Sequence, residues 1–298
     1  MVRFTDPGIE RKKNLSKRNL YFFENTNIPM PSEIEISESG LCNRKCSFCP
    51  RSDPKYNHVN EFINKNLHTN LCNELRKYNY KGIIRYSGFV EPLLDKNIYT
   101  LIREARDINK ECRVELVTNG DVLNKKRLKK LFDFGLTTIL ISVYDSELDA
   151  LAFESMCNSL GLTDGEDYLI RRRFLPAEQD FGITMSNRAG MLKNAEYKVM
   201  PLKDPLKKNC NYPAYTFFVD YNGDVLMCAH DWGKKRILGN LNKKTFYEIW
   251  NSQYALISRK KLLNKDRNFS PCNVCDVQGE LIGNEHAAAW LAKLNEKK

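Results

Sequence analysis

Glu33-Ile34-Glu35-Ile36-Ser37, followed across a short linker by Cys42-Asn43-Arg44-Lys45-Cys46-Ser47-Phe48-Cys49-Pro50, is the stretch on which the fold turns. The first five residues alternate polar and apolar side chains as a strand does. The loop behind them crowds three thiols, Cys42, Cys46 and Cys49, into a C-x3-C-x2-C run. A four-iron cubane cluster takes four thiolate ligands, so such a loop supplies three and leaves one iron open to chemistry. A structural zinc site with a fourth ligand from elsewhere is the alternative. Zinc ligands usually come as two separated pairs, a pattern that a triad fits poorly.

Beyond the loop, helix-like and strand-like segments take turns. Helical stretches at about 66–79, 96–109, 124–134 and 146–160 precede strand-like stretches at 82–86, 113–117, 138–143 and 168–171. Strands alternating with helices predict parallel pairing with right-handed crossovers. A full eight-fold barrel takes about 250 residues, and the alternation here ends near residue 190. The expectation is an α/β fold, a partial (β/α) barrel of five or six units. Ligands of parallel sheets gather at the carboxyl ends of the strands. The cysteine loop, Ser87-Gly88-Phe89-Val90-Glu91-Pro92 and Thr118-Asn119-Gly120 all follow strands.

The chain has 298 residues, 42% hydrophobic and 28% charged, enough for one large domain and a smaller one. It shows no apolar run of the roughly 18 residues that span a bilayer, and no signal-peptide pattern at its first residues, so a cytoplasmic protein is expected. In that setting ten cysteines stay reduced, as candidate metal ligands. Cys72, Cys112 and Cys157 fall outside any pattern and read as small buried side chains. Net charge is +10, from 47 Lys and Arg against 37 Asp and Glu, which favours anionic partners in general. The basic runs Arg11-Lys12-Lys13, Arg171-Arg172-Arg173 and Lys234-Lys235-Arg236 lack interleaved aromatics, which argues against nucleic acid, and read as solvated faces or helix ends.

After Lys207 the pattern changes. Residues 215–220 and 225–228 read as two strands around the turn Tyr221-Asn222-Gly223-Asp224. A helix at about 244–260 follows, and Cys210, Cys228 and the C-x2-C pair Cys272 and Cys275 make a four-thiolate set. A four-cysteine zinc ribbon is the alternative there too. With all four thiolates bound, no metal position stays open, so such a cluster would conduct electrons.

The C-x3-C-x2-C loop with an aromatic before its last cysteine resembles the signature of the radical S-adenosylmethionine (radical SAM) enzymes. The hairpin, helix and C-x2-C, with Gly239-Asn240 and Phe246-Tyr247-Glu248-Ile249-Trp250, resemble the twitch domain, a shortened relative of the SPASM domain. The resemblance implies two 4Fe-4S clusters, at Cys42, Cys46 and Cys49 and at Cys210, Cys228, Cys272 and Cys275. It also implies SAM, and a low-potential electron donor such as flavodoxin or ferredoxin. Glu91 matches the acid of the Gly-Gly-Glu-Pro element that holds the SAM amino group, although Val90 stands where a glycine is usual, and Gly88 of the same loop joins the SAM-binding set. Phe48 would offer its backbone to the adenine, Ser142 lies near the ribose or methionine part, and Asn119 joins the SAM-binding set by its place after a strand.

Within the twitch enzymes the chain is most similar to the 2-deoxy-scyllo-inosamine dehydrogenases, which oxidise a ring alcohol of an aminocyclitol to a ketone. Met185-Ser186-Asn187-Arg188-Ala189-Gly190-Met191-Leu192 resembles their Asn-Arg-Gly-Gly stretch, which implies that Arg188 orients the substrate hydroxyl and assists its deprotonation. His230 stands where they carry an acid facing the substrate amine, and Phe89 replaces a tyrosine. A neutral or anionic polyol, sugar or nucleotide-linked sugar is therefore expected. The alternatives are a radical SAM maturase of a ribosomally made peptide or carrier-bound substrate, and a zinc-stabilised binding protein. The expected organisation is an extension over 1–31, the barrel over 32–200, the cluster domain over 201–280 and a helix or tail over 281–298, where a short amphipathic helix is expected.

Overall fold

The computed structural model describes residues 7–174, 186–194 and 199–296. Strands β1 (Glu33–Ser37), β2 (Ile83–Tyr86), β3 (Arg113–Thr118), β4 (Thr138–Val143) and β5 (Tyr168–Arg172) alternate with helices α2 (Lys65–Lys77), α3 (Ile98–Arg106), α4 (Lys125–Asp133) and α5 (Glu147–Asn158). All five are parallel neighbours. Strand β6 (Thr216–Asp220) pairs in parallel with the far side of β1, Ile34 opposite Phe217. Strands β7 (Asp224–Leu226) and β8 (Ile237–Asn240) then extend the same sheet antiparallel, giving the order β5-β4-β3-β2-β1-β6-β7-β8. The hairpin expected to open a separate domain thus contributes the sixth parallel strand of the barrel. Pairing preference alone does not reveal this, because Phe217 and Val219 can bury themselves against any apolar layer.

The strands' period of two explains the layering. Ile34, Ile36, Ile84, Tyr86, Val114, Leu116, Ile139, Ile141, Phe217 and Val219 join one core under the helices. The other face carries Glu33, Glu35, Arg85 and Glu115, all buried. A polar face inside a barrel must be satisfied internally, and the N-terminal extension completes it. Helix α1 (Pro7–Arg18) sends Arg11 to Glu115 at 2.6 Å and Lys12 to Glu33 at 2.9 Å. Arg85 bridges Glu33 at 2.5 Å and Glu115 at 2.8 Å. Two residues of the run read as solvated therefore belong to a buried ion-pair network. Burial alone would raise the Glu115 pKa, but Arg85 and Arg11 hold it below the usual carboxylate value.

The expected helix at 244–260 is two helices, α7 (Phe246–Trp250) and α8 (Gln253–Leu263). Thr245 and Glu248 form a capping box on the first, and Ser252 restarts the chain by accepting from the amide of Ala255 at 3.2 Å. Arg259 stacks between Trp250 and Trp290, its guanidinium carbon 3.8 and 4.2 Å from the ring centroids. That contact docks the tail helix α9 (Asn284–Asn295), and Trp290 Nε1 donates to the carbonyl of Ala214, in helix α6 (Tyr212–Tyr215), at 3.1 Å. No helix among the described residues is long and apolar enough to cross a membrane.

Candidate active site and cluster sites

A cavity of about 540 Å³ opens over the carboxyl ends of the strands. Cys42, Cys46, Cys49, Phe48, Gly88, Glu91, Asn119, Ser142, Arg188 and His230 all line it. The cysteine loop is anchored by Arg51, which sequence reading passed over: Nη2 donates to the carbonyl of Gly40 at 2.8 Å and Nε to that of Phe89 at 3.0 Å. The first cysteine loop and the loop after β2 are thereby held by one buried guanidinium. Arg44 ties the same loop to Asp121 at 2.5 Å and Asp145 at 2.6 Å.

Glu91 sits at the head of a short 3-10 turn. Its carboxylate accepts from Thr118 Oγ1 at 2.7 Å, the Leu93 amide at 3.1 Å and the Asn119 amide at 2.7 Å. Burial raises its pKa, and these three donors oppose the shift. The Asn119 side chain donates to Asn43 of the cysteine loop at 2.8 Å. Gly88 has φ +98°, and a Cβ there would lie 2.9 Å from the Phe218 ring, so this position needs glycine. Ser142 accepts from Arg171 at 3.4 Å. Arg171 and Arg173 both line the cavity, whereas Arg172 faces outward to Glu147 and Glu154. The run divides by strand parity.

Cys210, Cys228, Cys272 and Cys275 line a second cavity of about 20 Å³. Arg267 closes it, donating to the carbonyls of Lys208, Asn209 and Val277 at 3.0, 2.7 and 2.8 Å. A Cβ at Gly279 would lie 2.6 Å from Cys210 Sγ, so that the chain passes close over the thiol. Zinc bound to sulfur at about 2.3 Å places its ligand sulfurs only about 3.8 Å apart. Among the described residues, neither cysteine set brings three sulfurs within 4.8 Å of one another. Burial raises the pKa of all seven thiols, that of Cys46 to about 11 and that of Cys275 to about 11. A metal cation held by these sulfurs would make the thiolate form favourable there.

Tyr212 and His230 line both cavities. His230 Nε2 lies 3.2 Å from the Tyr212 hydroxyl, Nδ1 lies 3.5 Å from Ser186 Oγ, and the His230 amide donates to Cys228 Sγ at 3.2 Å. Burial, then Arg188 and Lys12, push the imidazole pKa down to about 3, so the ring is neutral. Arg188 has φ +47° in a tight turn. Asn187 holds that turn to the C-x2-C segment, donating to the carbonyl of Val274 at 2.6 Å, while its amide donates to Asp276 at 2.9 Å. Arg188 Nε is buried without a hydrogen-bond partner among the described residues. Met185 lies outside those residues.

Sequence reading also missed Tyr212, Trp232, Glu35 and Lys12 as cavity residues. Trp232 packs on Phe89 at 4.5 Å between ring centroids. Among the described residues, one group brings possible metal-ligand atoms together, His68, Cys72 and Glu104. His68 already bonds Glu104 and the Tyr86 hydroxyl, each at 2.8 Å. That triad fastens α2 to α3 and β2, well behind the cavity.

Comparison with known proteins agrees with this geometry. Residues 37–152 match the radical SAM superfamily, and residues 210–276 match the SPASM iron-sulfur cluster-binding domain. The chain is 27% identical to the S-adenosyl-L-methionine-dependent 2-deoxy-scyllo-inosamine dehydrogenase of Niallia circulans, over 84% of this chain and 95% of that one. It is 31% identical to a GTP 3',8-cyclase of Psychromonas ingrahamii, over 40% of this chain and 34% of that one. In fold it is similar to BtrN solved in complex with AdoMet and 2-DOIA, with a TM-score of 0.69 at 24% identity, over 86% of this chain and 96% of that one.

Proposed function

We propose that this chain, which carries a radical SAM domain joined to a SPASM-type iron-sulfur domain, is a SAM-dependent dehydrogenase. It oxidises a carbinol carbon of a polyol, sugar or nucleotide-linked sugar to the ketone. The observation that carries this reading is the end-to-end likeness to a dehydrogenase of that type. When bound, SAM and the cluster at Cys42, Cys46 and Cys49 supply a 5'-deoxyadenosyl radical for hydrogen abstraction, and the cluster at the four later cysteines supplies an acceptor for the second electron.

The chain's own residues do the rest. The Glu91 carboxylate meets the SAM amino group, Gly88 lets the backbone approach, and Phe48, Asn119 and Ser142 complete the wall around the cofactor. Arg188 orients the substrate hydroxyl and stabilises the negative charge that grows on its oxygen as the proton leaves. His230 and Tyr212 line both this cavity and the four-cysteine site. Arg171, Arg173, Arg188 and Lys12 line the cavity, so a substrate ammonium is disfavoured and a neutral or anionic substrate is preferred. The setting is the cytoplasm, where ten thiols stay reduced and a flavodoxin or ferredoxin serves as reductant.

The test is anaerobic turnover of the reconstituted protein with SAM and reductant against a panel of polyols and sugar phosphates. Equal yields of 5'-deoxyadenosine and ketone support the reading. Substrate-dependent 5'-deoxyadenosine with peptides, and none with polyols, would overturn it in favour of a peptide maturase.

A further inference from the structure

Six parallel strands in the order β5-β4-β3-β2-β1-β6 leave β5 and β6 unpaired with each other. Helix α1 packs against β5 and α9 beside that gap. Arg11 bonds Glu115 and also Thr138 Oγ1, at 3.0 Å, on the β3-β4 side, while Lys12 bonds Glu33 on the β1 side. Both are ion-paired in one network, yet of the two only Lys12 lines the large cavity. Its side chain is 15% exposed. An ammonium has three N–H donors, and its ion pair with Glu33 occupies one of them.

The surroundings of Lys12 are those of a hydroxyl-binding surface. Glu35 lines the same cavity and accepts from Ser87 Oγ at 2.6 Å. The rings of Tyr212 and Tyr215 flank Lys12 Nζ, with centroids 5.9 and 5.6 Å away. Tyr215 also lines the cavity, and its buried hydroxyl has no hydrogen-bond partner among the described residues. An ammonium, a carboxyl and two kinds of hydroxyl set beside aromatic faces offer alternating donors and acceptors to adjacent hydroxyls on a ring.

We infer that this end of the cavity is a polyol-reading subsite and that α1 supplies its specificity-determining residue, Lys12, which donates to a substrate hydroxyl. The inference rests on the dehydrogenase reading for the reaction but not for the binding. It differs from a purely structural role, in which Lys12 only neutralises Glu33, as Arg11 does Glu115.

The experiment compares Lys12→Met and Arg11→Met in the full-length, iron-loaded protein with SAM and no reductant. Calorimetric titrations use myo-inositol, glucose and ribitol as probes, with iron content and SAM affinity measured alongside. The expected result is that Lys12→Met weakens binding of at least one probe about tenfold or more, with SAM affinity unchanged. Arg11→Met should lower the unfolding midpoint and leave probe affinity within about twofold. Equal losses in both variants, or no probe bound by the parent protein, would overturn the subsite. Should Lys12→Met fail to hold its clusters, Lys12→Arg keeps the pair with Glu33 while changing reach, and unaltered probe affinity in it overturns the inference. Lys12-dependent binding without ketone once reductant is added leaves the subsite standing and removes the dehydrogenase reading.

Discussion

Glu91 already accepts three hydrogen bonds from its own surroundings, two of them from backbone amides. Its orientation is thus set before any cofactor arrives, and burial raises its pKa above the ordinary carboxylate value. A carboxyl so shifted adds stability at low pH that is lost as pH rises through the folded pKa. Acidification should therefore weaken SAM affinity beginning above pH 4.5, the ordinary glutamate value, without unfolding the protein through this residue. Calorimetric SAM titrations from neutral to mildly acid pH check this, and Glu91→Gln should abolish the pH dependence while lowering affinity about tenfold or more. Arg188→Gln should leave SAM cleavage intact and lower ketone yield per 5'-deoxyadenosine about tenfold or more, read as the ratio of the two products. Glu91 was legible from its loop motif because chemistry restricts what can stand there. Arg51 was not, because its partners are backbone carbonyls that carry no residue signal.

Among the elements, α1 departs furthest from its sequence reading. Its basic run looks solvated, but Arg11 and Lys12 reach buried acids on β3 and β1. Removing one partner of a buried ion pair costs about 3 kcal/mol, so Arg11→Met should lower denaturant stability by about that amount. The sign of the pH effect follows from Glu115, whose pKa lies below its usual value. That glutamate contributes stability above its unfolded pKa that is lost as pH falls through the folded one. Arg11→Met should begin acid unfolding at a higher pH than the parent, as followed by circular dichroism. Gly88→Ala would set a Cβ 2.9 Å from Phe218 at φ +98°, and should cost about 1–3 kcal/mol together with SAM affinity. Elements with clear periodicity, such as β3, β4 and α2, kept their expected type within a few residues. The expected helix across 244–260 broke because Ser252 caps a second start.

At the scale of the whole molecule, the two cysteine sets line two cavities that share Tyr212, His230 and Val277. The sites should be separable. Cys42→Ala, Cys46→Ala, Cys49→Ala should halve iron from about eight to about four per chain and abolish SAM cleavage. Cys272→Ala, Cys275→Ala should also retain about four irons, and keep SAM cleavage while losing ketone formation. Iron and sulfide analysis together with product quantitation reads both.

The sequence by itself determined the alternation of strands and helices, the two thiol sets and the loops that line the cavity. Those features depend on local periodicity and on donor atoms that few residue types possess. Only the tertiary structure decided that β6 completes the barrel sheet, that Lys12 and Glu35 reach the cavity, and that His230 and Tyr212 line both cavities. Each of these depends on contacts between segments distant in the chain, where the partner of a charge or an apolar face is chosen by packing and not by neighbours in sequence.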